Sequence, residues 1–170
     1  MENKDIAKVF DRIGKLLEIK GENVFKIRAY YNAARTIAGL PISLKEAAAI
    51  GTIKNIKGIG GALEKKILEL IATGKLEYLE RIEAEIPAEI IEMLKIPGLG
   101  PRKIHKLVDI LGIKTIGELE YACRENRLKN IDGFGVKSQE NVLKGIELIK
   151  HFRGRILYDE AESLADEIVS

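Results

Sequence analysis

Three copies of a glycine, hydrophobic residue, glycine pattern have the residue types and spacing that best suit the binding of an anion. They are Gly58-Ile59-Gly60, Gly98-Leu99-Gly100 and Gly133-Phe134-Gly135. Each copy follows an Ile that stands two residues before its first glycine, and each lies between two helical stretches. The glycines permit a tight hairpin that a partner can approach closely. The amide groups after the second glycine are then the unsatisfied donors of a helix N-terminus, which favours a phosphate.

Repetition decides between two interpretations of these hairpins. A single Gly-x-Gly between helices is most simply an ordinary tight connection. Three copies, each with the preceding Ile and the following helix, favour a shared binding role. Because backbone amides read no base, such binding would be independent of sequence and strongly dependent on salt. In the third copy the bulkier Phe134 leaves a mainly structural role open.

Basic side chains accompany the hairpins and one earlier helical stretch. The residues predicted to face DNA are Lys65 after the first hairpin, Arg102 and Lys103 after the second, Lys137 after the third, and Lys26, Arg28 and Arg35 on the earlier stretch. The chain carries 28 basic and 26 acidic residues, a net charge of +2. Residues 1–83 carry a net +4 and residues 151–170 a net −3. This balance permits contact with a polyanion without requiring it.

Few other residues have side chains that could take part in catalysis, disulfide formation or metal binding. Cys123 is the single cysteine, so it cannot form an internal disulfide, and its helical context predicts a buried small apolar residue. His105 and His151 stand alone, which favours surface positions over catalysis or metal binding. No apolar run approaches the roughly 20 residues of a membrane span. We therefore expect a soluble, cytoplasmic, nucleoid-associated protein without a membrane partner.

The elements that position these residues are predicted to be helices throughout. Apolar residues recur every three or four positions in nearly every segment, and no two segments pair convincingly as strands. The predicted helices cover residues 3–18, 24–37, 43–51, 61–72, 76–82, 88–95, 102–111, 116–126 and 137–151. Ser43 with Glu46, and Thr115 with Glu118, match the capping-box pattern. An acidic helix with an apolar stripe is predicted from Asp159 onward.

The hairpin units resemble helix-hairpin-helix motifs, which bind DNA backbones in repair and replication proteins. The resemblance implies an all-α fold of two small helical domains built around tandem helix-hairpin-helix motifs. In that family the hairpin carbonyls often hold a monovalent cation. The resemblance therefore implies Na⁺ or K⁺ at the carbonyls of Lys57 and Ile59, and no further required cofactor.

Over about residues 1–155 the chain resembles the amino-terminal portion of family X DNA polymerases. The segments that carry the resemblance are Phe25-Lys26-Ile27-Arg28-Ala29-Tyr30-Tyr31-Asn32-Ala33-Ala34, Glu64-Lys65-Lys66-Ile67, Ala72-Thr73-Gly74-Lys75-Leu76 and Leu111-Gly112-Ile113-Lys114-Thr115. It implies a lyase or gap-binding domain at 1–83, a fingers-like domain at 84–152 and the start of a palm-like region or a linker helix at 153–170. It also implies binding of gapped, nicked or 5′-phosphate-bearing DNA in base excision repair.

The polymerase centre of that family has no counterpart in the sequence. The family uses a carboxylate triad for two-metal nucleotidyl transfer, whereas Asp159, Glu160 and Glu162 stand on a helical stretch and are best interpreted as a solvated face. We therefore predict no polymerase activity from this chain alone. Mg²⁺ is expected only if a palm domain is present, and a carboxy-terminal palm or nuclease domain would belong to a longer protein.

The resemblance implies a second chemistry at Lys66. The lysine at this position in the family forms a Schiff base with a 5′-deoxyribose phosphate, and its amine must be neutral to attack. Neighbouring Lys65 and Lys26 would favour the neutral amine and hold the 5′-phosphate. Where the family has a further phosphate-binding lysine, this chain has Ala62, which weakens the pocket. A simple phosphate contact by Lys66 is therefore slightly favoured over catalysis.

Two aromatic residues and a third function remain open. Phe25 stands where the family can have a base-stacking histidine, and it would either stack on a template base or lie in the core. Tyr30 matches an aromatic near the lyase pocket and is more typical of a core residue. A third hypothesis is a helical protein-interaction module whose acidic terminal helix docks another domain and whose hairpins are only turns.

Overall fold

The computed structural model contains only helices and turns in the part of the chain that it describes, which confirms the predicted all-α fold. It describes residues 1–169, with the side chains of residues 1–155, 159, 162 and 163. The chain divides into two compact units, Met1–Ala88 and Glu89–Ser170. Within the described residues, no helix is both long enough and apolar enough to cross a membrane.

The first unit is centred on two packed helices. Its elements are α1 (Asn3–Lys20), α2 (Val24–Ala38), α3 (Leu44–Ala49), a 3₁₀ turn (Ile53–Asn55), α4 (Gly61–Thr73) and α5 (Glu77–Glu85). Apolar residues at helical spacing, such as Phe10 and Ile13 of α1 and Ile37 of α2, are completely buried. Gly14 permits the close approach of α2, because a Cβ at this position would lie 2.8 Å from Cε1 of Tyr31.

Charged contacts hold α5 against α1 in the first unit. Arg12 Nε donates to Glu83 Oε1 at 2.6 Å, and Lys20 pairs with Glu85. The hydrogen bond and charge of Lys20 hold the pKa of the Glu85 carboxyl below its usual value. These contacts help to fix the helix that carries Tyr78.

The second unit is built around the other two hairpins. Its elements are α6 (Ala88–Glu92), a 3₁₀ turn (Met93–Lys95), α7 (Pro101–Leu111), α8 (Ile116–Arg124), a 3₁₀ turn (Leu128–Asn130) and α9 (Val136–Val169). Val142 and Ile146 of α9 are buried. Gly145 permits α9 to pack against the second hairpin, because a Cβ at this position would lie 2.6 Å from Cγ2 of Ile96. Cys123 is buried as predicted, and burial raises the pKa of its thiol to about 11.

The helix starts partly follow the predicted capping boxes. Thr115 Oγ1 accepts from the Glu118 amide at 3.0 Å, but the Glu118 carboxylate accepts from the amide of Lys114, one residue before the expected partner. Ser43 Oγ accepts from the Lys45 amide at 3.2 Å. Both hydroxyls thus cap their helices, but Ser43 bonds the amide of Lys45 instead of that of Glu46, and the carboxylate of Glu118 bonds the amide of Lys114 instead of that of Thr115.

The domain boundary and the last helix differ from the expectation. The units divide after Ala88 and not after residue 83, because α5 continues through Glu85 and its carboxylates bind side chains of α1. Residues 153–169 do not form a separate element, since α9 is one helix to Val169. The apolar stripe predicted for this stretch, made of Ala161, Leu164, Ala165 and Ile168, lies outside the described side chains.

Candidate nucleic-acid interface

The three hairpins have the same backbone construction. In each, a three-residue 3₁₀ turn precedes the repeated Ile, and the carbonyl of that Ile accepts a hydrogen bond from the residue between the glycines. The three bonds are Ile59 N to Ile56 O at 3.1 Å, Leu99 N to Ile96 O at 3.1 Å and Phe134 N to Ile131 O at 3.0 Å. Such a bond closes a four-residue β-turn. The sequence repeat is therefore a structural repeat.

The first glycine of each hairpin is required by the backbone. Gly58, Gly98 and Gly133 have φ values of +91°, +81° and +91°. An L-residue with a side chain is strained in this region, and a turn with positive φ at its third residue selects glycine. A substitution at these positions therefore tests folding before it tests binding.

The second glycine of each hairpin is not required by the fold. Gly60 and Gly100 cap α4 and α7 with φ values of −82° and −84°, which any residue adopts. A Cβ built at Gly60, Gly100 or Gly135 meets no atom within 4 Å among the described residues. All three are exposed. The absence of a side chain therefore leaves open space directly over a helix N-terminus, where a phosphate can approach the amide donors.

The residue between the glycines packs inward, as predicted. Ile59, Leu99 and Phe134 are 6%, 2% and 7% exposed. A second buried layer, not predicted from the sequence, is formed by the first residues of the 3₁₀ turns, which are Ile53, Met93 and Leu128. A signal for it exists, because Ile53-Lys54-Asn55-Ile56 and Leu128-Lys129-Asn130-Ile131 share one pattern. Buried side chains thus fix the inner side of each hairpin, while its outer surface stays exposed to solvent.

The third hairpin differs because lysines of α7 reach it. Lys106 Nζ donates to the carbonyl of Asp132 at 3.0 Å, and Lys103 Nζ lies 5.3 Å from the centre of the Phe134 ring. Lys103 Nζ also lies 3.5 Å from the carbonyl of Gly98 in the second hairpin. The structure therefore couples the second and third hairpins within their unit, while Gly135 and Lys137 remain exposed.

A group of cations surrounds one aromatic ring in the first unit, close to the N-terminus of α4. We call Lys26, Lys66, Tyr78 and Arg81 the Tyr78 cluster. Lys66 Nζ, Arg81 Cζ and Lys26 Nζ lie 4.6, 5.6 and 5.7 Å from the centre of the Tyr78 ring. Tyr78 and Arg81 line an open pocket together with Gly61, Ala62, Lys65, Lys66, Glu69 and Glu77.

Comparison with known proteins agrees with this geometry. A family model described as "Helix-hairpin-helix domain" matches residues 1–76, and one described as "SAM-like Helix-hairpin-helix tandem" matches residues 90–147. The chain is 35% identical over 146 residues to DNA polymerase/3'-5' exonuclease PolX of Bacillus subtilis (strain 168), covering 86% of this chain and 25% of the relative. It is 26% identical over 141 residues to DNA polymerase lambda of Arabidopsis thaliana, covering 82% and 25%.

The chain is related to the amino-terminal region of family X DNA polymerases. It spans a quarter of the length of these two relatives. A DNA ligase of Natranaerobius thermophilus is 39% identical over 56 residues, which cover 33% of this chain and 8% of the ligase. The predicted family resemblance and the tandem helix-hairpin-helix fold are thereby confirmed.

The structure brings together only part of the predicted interface. Lys65 and Lys66 line the pocket of the first unit, and Lys26 lies beside the Tyr78 ring of that pocket. Arg28 and Arg35 do not join them, because they stand about 200° and 180° around α2 from Lys26. Arg35 instead lines a separate groove between α1 and α2. The rotation of about 100° per residue along an α-helix predicts this separation of the charges from the sequence alone.

Two aromatic residues of α2, Tyr30 and Phe25, differ in their exposure to solvent. Tyr30 is buried and stacks on Tyr78 with ring centres 6.0 Å apart and an angle of 13° between the planes. Burial, followed by the charge and hydrogen bond of Tyr78, raises the pKa of the Tyr30 hydroxyl. Phe25 is 78% exposed, so the core alternative for this residue is wrong. The sequence did not predict Tyr78 or Arg81 as site residues, since α5 carries no glycine hairpin.

The predicted cation ligands have suitable chemistry. The carbonyls of Lys57 and Ile59 accept none of the turn or cap hydrogen bonds found in this part of the structure. Carbonyl oxygens with unused lone pairs suit a hard monovalent cation. Among the described side chains, no three His, Cys, Asp or Glu residues come together as a metal site. Binding of a monovalent cation by these carbonyls stays a prediction.

The open second glycines predict a separation of DNA binding from stability. Serine at a helix N-cap is at least as favourable as glycine, so Gly60→Ser and Gly100→Ser should leave the melting temperature unchanged or slightly higher. The serine oxygen would take an amide donor and narrow the approach of a phosphate. We expect about tenfold weaker DNA binding for each variant, since hydrogen bonds to charged groups contribute about 1.5 kcal/mol or more.

A matched control uses a glycine away from the hairpins. Gly117 in α8 is exposed, and a Cβ there meets only Thr115 Oγ1 at 3.8 Å. Gly117→Ser should therefore bind DNA like the parent in a fluorescence anisotropy titration. Folded Gly60→Ser and Gly100→Ser proteins that also bind like the parent would contradict the role of the open glycines.

Proposed function

We propose that this chain binds gapped or nicked DNA without sequence preference, as the DNA-binding part of a family X DNA polymerase in DNA repair. The open space over the helix N-termini at Gly60 and Gly100 carries the proposal, because no contact within the fold accounts for the missing side chains. Amide donors at these positions suit phosphate oxygens and carry no base information. The relatives, two DNA polymerases and a DNA ligase, support DNA as the partner.

Each of the two units would bind one strand of the gapped DNA. The first hairpin would hold the downstream strand of a gap near its 5′ end, helped by the cations of the Tyr78 cluster. The second hairpin would hold the primer strand, helped by exposed Arg102 and half-buried Lys103. A gap presents a strand end to the first unit. The DNA between the two binding sites is flexible at the gap. We therefore propose a preference for gapped over intact duplex.

Cations at the hairpins form part of the proposal. Na⁺ or K⁺ at the carbonyls of Lys57 and Ile59 would neutralise charge beside a bound phosphate. Nucleotidyl transfer with Mg²⁺ would require a palm domain of a longer polymerase, and a carboxy-terminal palm or nuclease domain would supply it. The hairpins and basic side chains of this chain bind and orient DNA in this account.

The salt dependence of binding tests the proposal against a protein-interaction module. Each neutralised phosphate contributes a slope of about −0.9 to a plot of log affinity against log salt on duplex DNA. Contacts with about three phosphates should therefore give a slope near −2.7 on a duplex with a short gap. The slope should be the same for two gapped duplexes of unrelated sequence. A slope near zero would overturn DNA binding through phosphates and favour docking of a protein.

A second candidate function is a 5′-deoxyribose-phosphate lyase with Lys66 as its nucleophile. The position of Lys66 favours it, because this amine lies beside two cations that can hold the sugar phosphate, and Arg81 supplies a charge where Ala62 lacks one. The amine would attack C1′ of the opened sugar and release water to form an imine. Loss of a C2′ proton to solvent would then break the C3′–oxygen bond and release the phosphorylated strand.

Borohydride trapping tests the lyase candidate. On a gapped duplex with a 5′-deoxyribose phosphate, Lys66→Ala should abolish the covalent adduct and keep most of the binding. Lys75→Ala is a matched control, because Lys75 is an exposed lysine just beyond α4 and outside the pocket. An adduct that persists in Lys66→Ala would move the chemistry to another amine. Absence of any adduct with the parent protein would exclude the lyase and leave phosphate binding as the role of Lys66.

A further inference from the structure

We infer that the ammonium group of Lys106 serves as the cation of the third hairpin, in the place that a free Na⁺ or K⁺ would occupy at the first. This inference rests on the proposed binding of DNA phosphates at the hairpins. Lys106 belongs to α7, the helix that follows the second hairpin, and its Nζ donates to the carbonyl of Asp132 at 3.0 Å. The third hairpin would thereby bind a phosphate without a metal ion.

The carbonyl that Lys106 contacts is the counterpart of a carbonyl proposed to hold a cation in the first hairpin. Asp132 stands directly before the first glycine of its hairpin, as Lys57 does in the first copy and Pro97 in the second. The first and third turns share the closing hydrogen bond and a φ of +91° at that glycine. The two carbonyls therefore belong to the same turn geometry. An ammonium donor and a monovalent metal ion both suit such an oxygen.

The side chain of Asp132 explains why the third hairpin needs a fixed positive charge. It is exposed and acidic, at the position where the other copies have Lys57 and Pro97. A carboxylate on the hairpin repels a phosphate that approaches it. Lys106 offsets this repulsion. Among the described residues, no carboxylate lies within 4 Å of its ammonium, so no ion pair neutralises the charge.

The ammonium lies close to the proposed phosphate site of the third hairpin. A Cβ at Gly133 would lie 3.5 Å from Lys106 Nζ, so the ammonium touches the tip of the turn. The ends of a β-turn are less than about 7 Å apart, which is within the screening length of about 8 Å at physiological salt. Gly135, whose missing side chain leaves open space, directly follows the turn and precedes α9. A phosphate there would meet both the helix amides and the ammonium.

Helix α7 holds Lys106 in place before DNA arrives. Ile104 and Leu107 of this helix are completely buried, and the Lys106 side chain is itself half-buried. Lys103, one turn earlier, lies with its Nζ 5.3 Å from the centre of the Phe134 ring. A side chain that is already ordered loses less conformational entropy on binding than a free one. A dissolved ion, in contrast, must be captured from solution, so only a hairpin without an attached ammonium depends on which cation is present.

Chemical rescue by small cations tests this role. Affinities of the full chain for a gapped duplex are measured at equal concentrations of tetramethylammonium, ammonium or potassium chloride. Tetramethylammonium is bulky and cannot donate a hydrogen bond. In that salt Lys106→Ala should bind about tenfold more weakly than the parent, the loss of one charge-assisted contact. In ammonium or potassium the difference should shrink at least about threefold, because a small cation enters the vacated space and binds the carbonyl.

Two further variants control for charge and for space. Lys106→Met removes the charge but fills the space, so it should bind weakly in all three salts. Lys114→Ala removes an exposed lysine beyond the carboxyl end of α7 and should bind like the parent in each salt. The first hairpin is the same in every protein. The ratio of variant to parent affinity in each salt therefore cancels any cation dependence of that hairpin.

The outcomes separate the role of Lys106 from DNA binding itself. Unchanged binding by Lys106→Ala would overturn the inference, and so would an equal loss in all three salts. Rescue of Lys106→Met to the same extent as Lys106→Ala would also overturn it, since the salt would then act elsewhere. All of these results leave DNA binding by the hairpins intact. A parent protein that binds the gapped duplex in none of the salts would overturn the proposed function and this inference together.

Discussion

A single backbone hydrogen bond closes each hairpin and sets the geometry of the proposed interface. It requires positive φ at Gly58, Gly98 and Gly133, and it turns the chain so that the following helix begins at the second glycine. The same turn directs Ile59, Leu99 and Phe134 into the core. One local bond therefore sets the direction of a helix N-terminus, the position of a buried side chain and the exposure of the amide donors.

The three hairpins share one backbone conformation but have different neighbouring side chains. The first hairpin adjoins the cations held by Tyr78, and the second has an open tip followed by Pro101, which suits the first position of a helix. The third is contacted by Lys106 and Lys103 of α7. Any difference in DNA binding between the copies would therefore come from side chains of neighbouring helices, since the hairpin backbone is the same in all three.

Local sequence determined much of this structure, and tertiary packing determined the rest. The hairpins, the helices and the buried residue between the glycines follow from glycine spacing and apolar periodicity, which are local signals. Tyr78 and Arg81 reach the site because core aromatics and the ion pairs of Arg12 and Lys20 place α5, and no local pattern reports such packing. The separation of Arg28 from Lys26 was available from helical geometry.

Amide NMR during a titration with gapped DNA tests phosphate binding at the helix N-termini, because it observes the proposed donors themselves. We expect the largest chemical-shift changes at the amides of Gly60, Gly61 and Ala62 in the first unit and of Gly100, Arg102 and Lys103 in the second. These changes should weaken together as salt is added. Changes confined to residues away from the hairpins, with these six amides unaffected at saturation, would contradict binding through the helix N-termini.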